Sequence, residues 1–243
     1  MHSKVAADVE EYGWHVVKVL GDTKGPPWAY TIGLETTHRH PELVIFGLNL
    51  DLDLMHRVLN AMVDRIARGE RFEHGMTKDG ILDDYVCPFA RFPKSAYDDH
   101  LGQAIDFHGS SDFRAVQCIW PDPDHALPWE KAAMLGQLAR QPVFLRPDSG
   151  DVDPPWPFEE PHSRIVITSR QVATGQEPIR YAGRFDDGDW QFVCETTDDA
   201  DDAVVATLGW VFDRDPSVRA AAALHAGQGL LRTDATAAWK PAP

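Results

Sequence analysis

The stretch WAYTIGLETTHRHPELVIF, residues 28–46, decides the fold class. Residues 28–34 carry aromatic and β-branched side chains, which favour a pleated strand. Gly33 lies inside that stretch, where a missing side chain marks a bulge or a close approach of another backbone or a ligand. The chain turns over residues 38–41, and residues 43–48 form an apolar run of strand length. Working outward, residues 14–20 read as a preceding strand, closed by Gly21, Asp22, Gly25, Pro26 and Pro27. Downstream, Asp51 or Asp53 caps a helix whose Met55, Val58, Leu59, Met62 and Ile66 recur at helical spacing, and Gly69 ends it. Three strands and a helix joined by short links indicate an α+β fold with an at least partly antiparallel first sheet.

Residues 85–92 read as a strand interrupted by Pro88, hence an edge or bulged one. Ser95 and Asp98 resemble a capping box, and Tyr97, Leu101, Ala104, Ile105 and His108 then share one face of a second amphipathic helix. A strand over 115–120, a proline-studded loop over 121–129, a short helix over 131–140 and a strand over 142–146 follow. Residues 147–161 carry Pro147, Pro154, Pro155, Pro157 and Pro161 among acids, the composition of a linker. Strands are expected over 164–168, 179–185 and 190–194, with residues 186–189 turning between the last two. Asp198, Asp199, Asp201 and Asp202 precede an expected helix over 203–212, and the alanine-rich tail is expected to be poorly ordered at its end. The expected architecture is therefore two modules, each a small, mainly antiparallel sheet with one or two packed helices. The first spans 1–146, a linker 147–162, the second module 163–221 and a tail 222–243.

The chain has 243 residues and a net charge of −15, with 43% hydrophobic and 25% charged residues. Such a composition is globular, and its charge argues against nucleic acid, whose binding needs cationic side chains. Cys87, Cys118 and Cys194 are odd in number and widely spaced, which indicates neither a disulfide framework nor a thiolate zinc site and fits a cytoplasmic protein. Glu10 and Glu11 stand where a signal peptide would need apolar residues, and the longest apolar runs are too short for a membrane span. Walker, G-x-G-x-x-G, H-E-x-x-H and G-x-S-x-G motifs do not occur.

Six short strings, taken in order, resemble the bacterial domain-of-unknown-function family 4262 across residues 12–146. They are Gly13-Trp14, Gly25-Pro26-Pro27, the run from Ala29 to Leu34, His40-Pro41-Glu42-Leu43, Gln117 with Trp120-Pro121-Asp122, and Pro128-Trp129-Glu130. That resemblance implies no chemistry. In the second module Val166 to Arg170, Gly175, Pro178, Ile179, Tyr181, Arg184, Asp187 to Trp190 and Asp213 to Ser217 resemble immunity protein family 33. This second resemblance implies binding to a protein, such as a toxin, and not catalysis.

Two functional readings follow. In the first the protein is a non-catalytic, immunity-type binder that neutralises or masks a partner, a basic toxin or effector, with its charge steering association. In the second, His40 and Glu42 act as acid and base beside an aromatic pocket that holds a small molecule or a flavin. Tyr30, Thr31, Gln117, Trp120, Asp122 and Trp129 would line that pocket, with Arg146 as its cation. The binding reading is preferred, without membrane partner, metal or required cofactor; His38 and His40 would make a metal pair only in an extended segment, which Pro41 interrupts.

Overall fold

The computed structural model describes residues 4–243 apart from 24, 49–50, 131–134, 136–138, 151–154 and 198. The chain forms two compact units, one of Met1–Asp22, Pro26–His125 and Val143–Trp156, the other of Thr23–Gly25, Ala126–Pro142 and Pro157–Pro243. Each is built on a mixed six-stranded sheet in which one of the five pairings is parallel. The α+β class and the mainly antiparallel sheets are as expected.

The first unit contains α1 (Lys4–Tyr12), β1 (His15–Val19), β2 (Trp28–Ile32), α2 (Leu34–His38), β3 (Glu42–Phe46), α3 (Leu52–Ala67), β4 (Thr77–Lys78) and β5 (Cys87–Arg91). It continues with α4 (Tyr97–His100), α5 (Gly102–His108) and β6 (Ala115–Cys118), and its sheet order is β1-β2-β3-β6-β5-β4. Alternation along each strand sends side chains to opposite faces. Leu43, Ile45, Phe89, Val116 and Cys118 pack against α3 through Met55, Leu59, Met62 and Val63. Tyr30, Ile32, Val44, Phe46 and Ala115 pack on the other side with Tyr97, Leu101, Ala104 and Phe144. Asp51 caps α3, its side chain accepting the N–H groups of Asp53 and Leu54.

Several expectations are corrected here. The turn region after Gly33 holds the helix α2, and Gly33 precedes it at φ +110°. The single helix expected around residues 95–108 is a 3-10 turn over Lys94–Ala96 followed by α4 and α5, broken at Leu101 (φ −123°, ψ 26°) just before Gly102. β5 lies one strand inside the sheet edge, with the two-residue β4 outside it; Pro88 lacks a donor, but its carbonyl still accepts the Ile119 N–H. Residues 142–146 form no strand, and Phe144 instead packs against Phe46 and Phe92. The helix expected over 131–140 falls largely outside the described residues.

The second unit contains β7 (Ile165–Ser169), α6 (Arg170–Ala173), β8 (Tyr181–Arg184), β9 (Trp190–Val193), β10 (Ala203–Thr207), α7 (Leu208–Arg214), β11 (Gln228–Leu231) and β12 (Lys240–Pro241). Its sheet order is β10-β7-β9-β8-β11-β12. The helix expected over 203–212 is the strand β10 followed by α7. Val204 and Val205 favour the strand, and the Asp199 side chain caps only the 3-10 turn Ala200–Asp202. The tail is not a loose appendage. After a 3-10 helix over Pro216–Ala223, β11 pairs with β8 and β12 with β11.

Candidate functional site

His40 and Glu42 are both wholly buried, and each is saturated by its own partners. His40 Nδ1 donates to the Pro41 carbonyl at 2.7 Å, and Nε2 accepts the Phe72 N–H at 2.9 Å. Those two backbone partners fix the neutral tautomer protonated on Nδ1. Burial, the largest cause, holds the pKa of His40 down to about 4. His38 is the last residue of α2 and not part of an extended pair with His40.

Glu42 begins β3 and turns its carboxylate onto the start of α2. Oε1 accepts the Gly33 N–H at 2.8 Å and the Glu35 N–H at 3.3 Å; Oε2 accepts the Thr31 hydroxyl at 2.8 Å and the Leu34 N–H at 3.3 Å. His108 Nε2, at the end of α5, lies 3.2 Å from Oε1. The imidazole of His108 stacks on Phe113, with ring centroids 4.5 Å apart. Thr31 Oγ1 in turn accepts the Leu43 N–H at 2.9 Å. Five hydrogen-bond partners occupy the acceptor sites of the Glu42 carboxyl group, so the arrangement organises structure around a buried side chain. Gly33 and His108 were absent from the site residues read from sequence, and only the topology brings them to Glu42.

Within the first unit, Tyr30 and Trp120 stand on opposite faces of the sheet and share no pocket. Tyr30 sits in the core on the α5 side, where burial pushes its phenol up to about 12, whereas Trp120 sits in the α3-side core and donates Nε1–H to the Phe46 carbonyl at 2.8 Å. The sheet separates them. Gln117 is buried within β6, opposite Val44 and Ala90. Asp122 is buried in the following loop and accepts the Asp124 N–H at 3.0 Å. Trp129 is half-buried in the other unit, and half-buried Arg146 starts a turn in which its N–H donates to Ser149 Oγ at 3.1 Å.

The accessible feature lies in the second unit. Along β7 and β10, Val166, Val204 and Ala206 are buried, but Ile167 is 37% exposed and Val205 is 50% exposed. Val205 and Ile167 are direct cross-strand partners, and Gln191 continues the row on β9. At one end of this face is a cavity of about 270 Å³ lined by Ile167, Ser169, Val193, Glu195, Asp199 and Asp202, among others. No Lys, Arg or His is among its described lining residues. Asp202 accepts Gln171 Nε2–H and Thr197 Oγ1–H, both at 2.7 Å, and Arg170 Nε is 3.6 Å away; the Thr197 hydrogen bond leads in holding its carboxyl below the ordinary range. Exposed Glu195 sits at φ +59°, a left-handed conformation rare outside glycine. Periodicity could not have found this face, because apolar runs such as Ile165-Val166-Ile167 ordinarily mark strands covered on both sides.

Among the described residues no helix is long and apolar enough to cross a membrane, and no three His, Cys, Asp or Glu side chains gather as a metal-holding group. The class is thus a two-unit α+β protein with a saturated polar core site in one unit and an open, acid-bordered sheet face in the other. The model of the domain of unknown function (DUF4262) matches residues 8–134, and the chain belongs to that family. No curated protein and no solved structure matches the chain.

Proposed function

We propose that the protein is a non-catalytic binder that masks a basic partner protein through the open sheet face of its second unit. The observation that carries this reading is the pair Val205 and Ile167, apolar cross-strand neighbours left in solvent on strands that are apolar on both faces. An exposed apolar centre with a polar border is the anatomy of a protein interface. The acids lining the adjoining cavity and the net charge of −15 favour a basic partner and fast, salt-sensitive association. Saturation of His40 and Glu42 weighs against acid–base work at those positions.

Titration of the full chain against each purified product of the genes flanking its own tests this. The expected result is one tight partner, with association slowed by added salt. Binding of none of them would overturn the proposal.

A further inference from the structure

β10 ends the sheet of the second unit, and among the described residues no strand pairs with it on the side away from β7. Leu208, just past β10, donates its N–H to the Arg164 carbonyl at 2.8 Å. Hydrogen-bonded and non-hydrogen-bonded pairs alternate along an antiparallel ladder. With that bond setting the phase, Val204–Thr168 and Ala206–Val166 exchange hydrogen bonds and Val205–Ile167 does not. The Val205 N–H and C=O therefore point away from β7, out of the sheet edge, while its side chain stands on the open face beside Ile167.

A free edge is a template for another strand, and proteins ordinarily blunt it by shortness, lysine or proline. The other three edge strands among the described residues are blunted in that way. β1 carries Lys18, β4 is two residues long and carries Lys78, and β12 consists of Lys240 and Pro241. β10 has five residues, Ala203 to Thr207, without charge or proline. Asp199, Asp201 and Asp202 lead into it, Arg170 is paired with Asp202, and Glu195 lines the adjoining cavity.

We propose that β10 is a docking edge that takes an extended, basic segment of the partner as an added outer strand. This rests on the reading that the second unit binds a basic partner, and it supplies the mode. The segment's main chain pairs with the Val205 N–H and C=O, every second side chain joins the Val205–Ile167 row, and its cations meet the acids before β10. A second copy of the chain is a poor occupant, because each copy brings a net charge of −15 and the same acids to the edge.

The test follows backbone amides of the isotope-labelled full chain by NMR during titration with the peptide acetyl-KVKVKVK-amide. Two further forms of the peptide are N-methylated, one at every valine and the other at every lysine. Pairing uses the amides of alternate residues only, so one methylated form should bind and the other should not. Bound peptide should slow hydrogen exchange of the Val205 amide by at least about tenfold, and acetyl-EVEVEVE-amide should leave it unchanged. Equal binding of both methylated forms would overturn the strand pairing and leave masking through the sheet face in place. Binding of a flanking-gene product with no protection of the Val205 amide would do the same. No binding of the lysine peptide, equal binding of the glutamate peptide, or protection of Val205 that grows with chain concentration alone would also overturn the proposal.

Discussion

The Glu42 carboxylate accepts the Gly33 N–H at 2.8 Å, so a side chain from the start of β3 organises the first turn of α2. Gly33 is the residue that permits it: at φ +110°, an added Cβ would stand 2.9 Å from both Val9 methyl carbons and 3.0 Å from the Gly13 carbonyl oxygen. Glu42→Gln turns one acceptor oxygen into a donor that faces other donors. Leaving buried groups unpaired costs about 2–4 kcal/mol, to be read as a lower urea midpoint with unchanged m-value. A midpoint equal to wild type would show that the network contributes nothing.

Acid should weaken the first unit before its carboxylates titrate. Burial, the leading cause in both, holds His40 and His100 at about 4, below the ordinary value of 6.5. Between those values the unfolded chain binds more protons than the folded one. Stability is therefore fully present above the unfolded pKa and falls as pH drops from about 6.5 towards about 4, by up to about 1.4 kcal/mol per pH unit for each imidazole. His100→Phe, set among Phe46, Phe92 and Phe144, should flatten that slope in urea melts across the same range. An unchanged slope would remove His100 from the explanation.

What could be read in advance depended on how local its cause was. β1, β2 and β3 announce themselves as aromatic, β-branched or apolar runs closed by turn residues, and α3 by its helical spacing; Met55, Val58, Leu59, Met62 and Ile66 are all buried as spaced. α2 does not, since five residues that include Thr36, Thr37 and His38 become helical around a carboxylate supplied by the next strand. The acids before β10 imitate a helix start, yet Asp199 caps only one 3-10 turn. At the site, Glu42 was legible only as a candidate acid–base partner of His40, while His108, 66 positions away, comes to it through the sheet order.

The C-terminal residues should be indispensable to the second unit. Arg232, with a side chain 1% exposed, donates to the Ile179 carbonyl at 2.8 Å, to Ser217 Oγ at 2.8 Å and to the Ala235 carbonyl at 2.9 Å. It also pairs with Asp215 and lies against the Trp239 ring. Removing residues 222–243 takes away β11 and β12 and bares the edge of β8. The truncated chain is expected to melt at lower temperature and to aggregate, as calorimetry and light scattering would register. A monomer with the wild-type melting temperature would contradict this.

Tyr181 lies across the sheet over two glycines, and that packing should be intolerant of a methyl group. A Cβ at Gly183 would stand 2.3 Å from Tyr181 Oη, and one at Gly229 would stand 2.9 Å from the same atom. Gly183→Ala should lower stability by about 1–3 kcal/mol through overpacking, and Tyr181→Ala in the same chain should recover part of the loss. Additive effects in that double-mutant cycle would exclude the contact as the cause.

The most direct measurement is the affinity of the proposed basic partner for the wild-type chain, for Val205→Arg and for Leu20→Arg. Val205 is on the open face of the second unit, whereas Leu20, 79% exposed, belongs to the first unit and serves as the control. The expected result is a loss of at least about tenfold with Val205→Arg and wild-type affinity with Leu20→Arg, both variants keeping their melting temperatures. Wild-type affinity in Val205→Arg would contradict binding through the open sheet face.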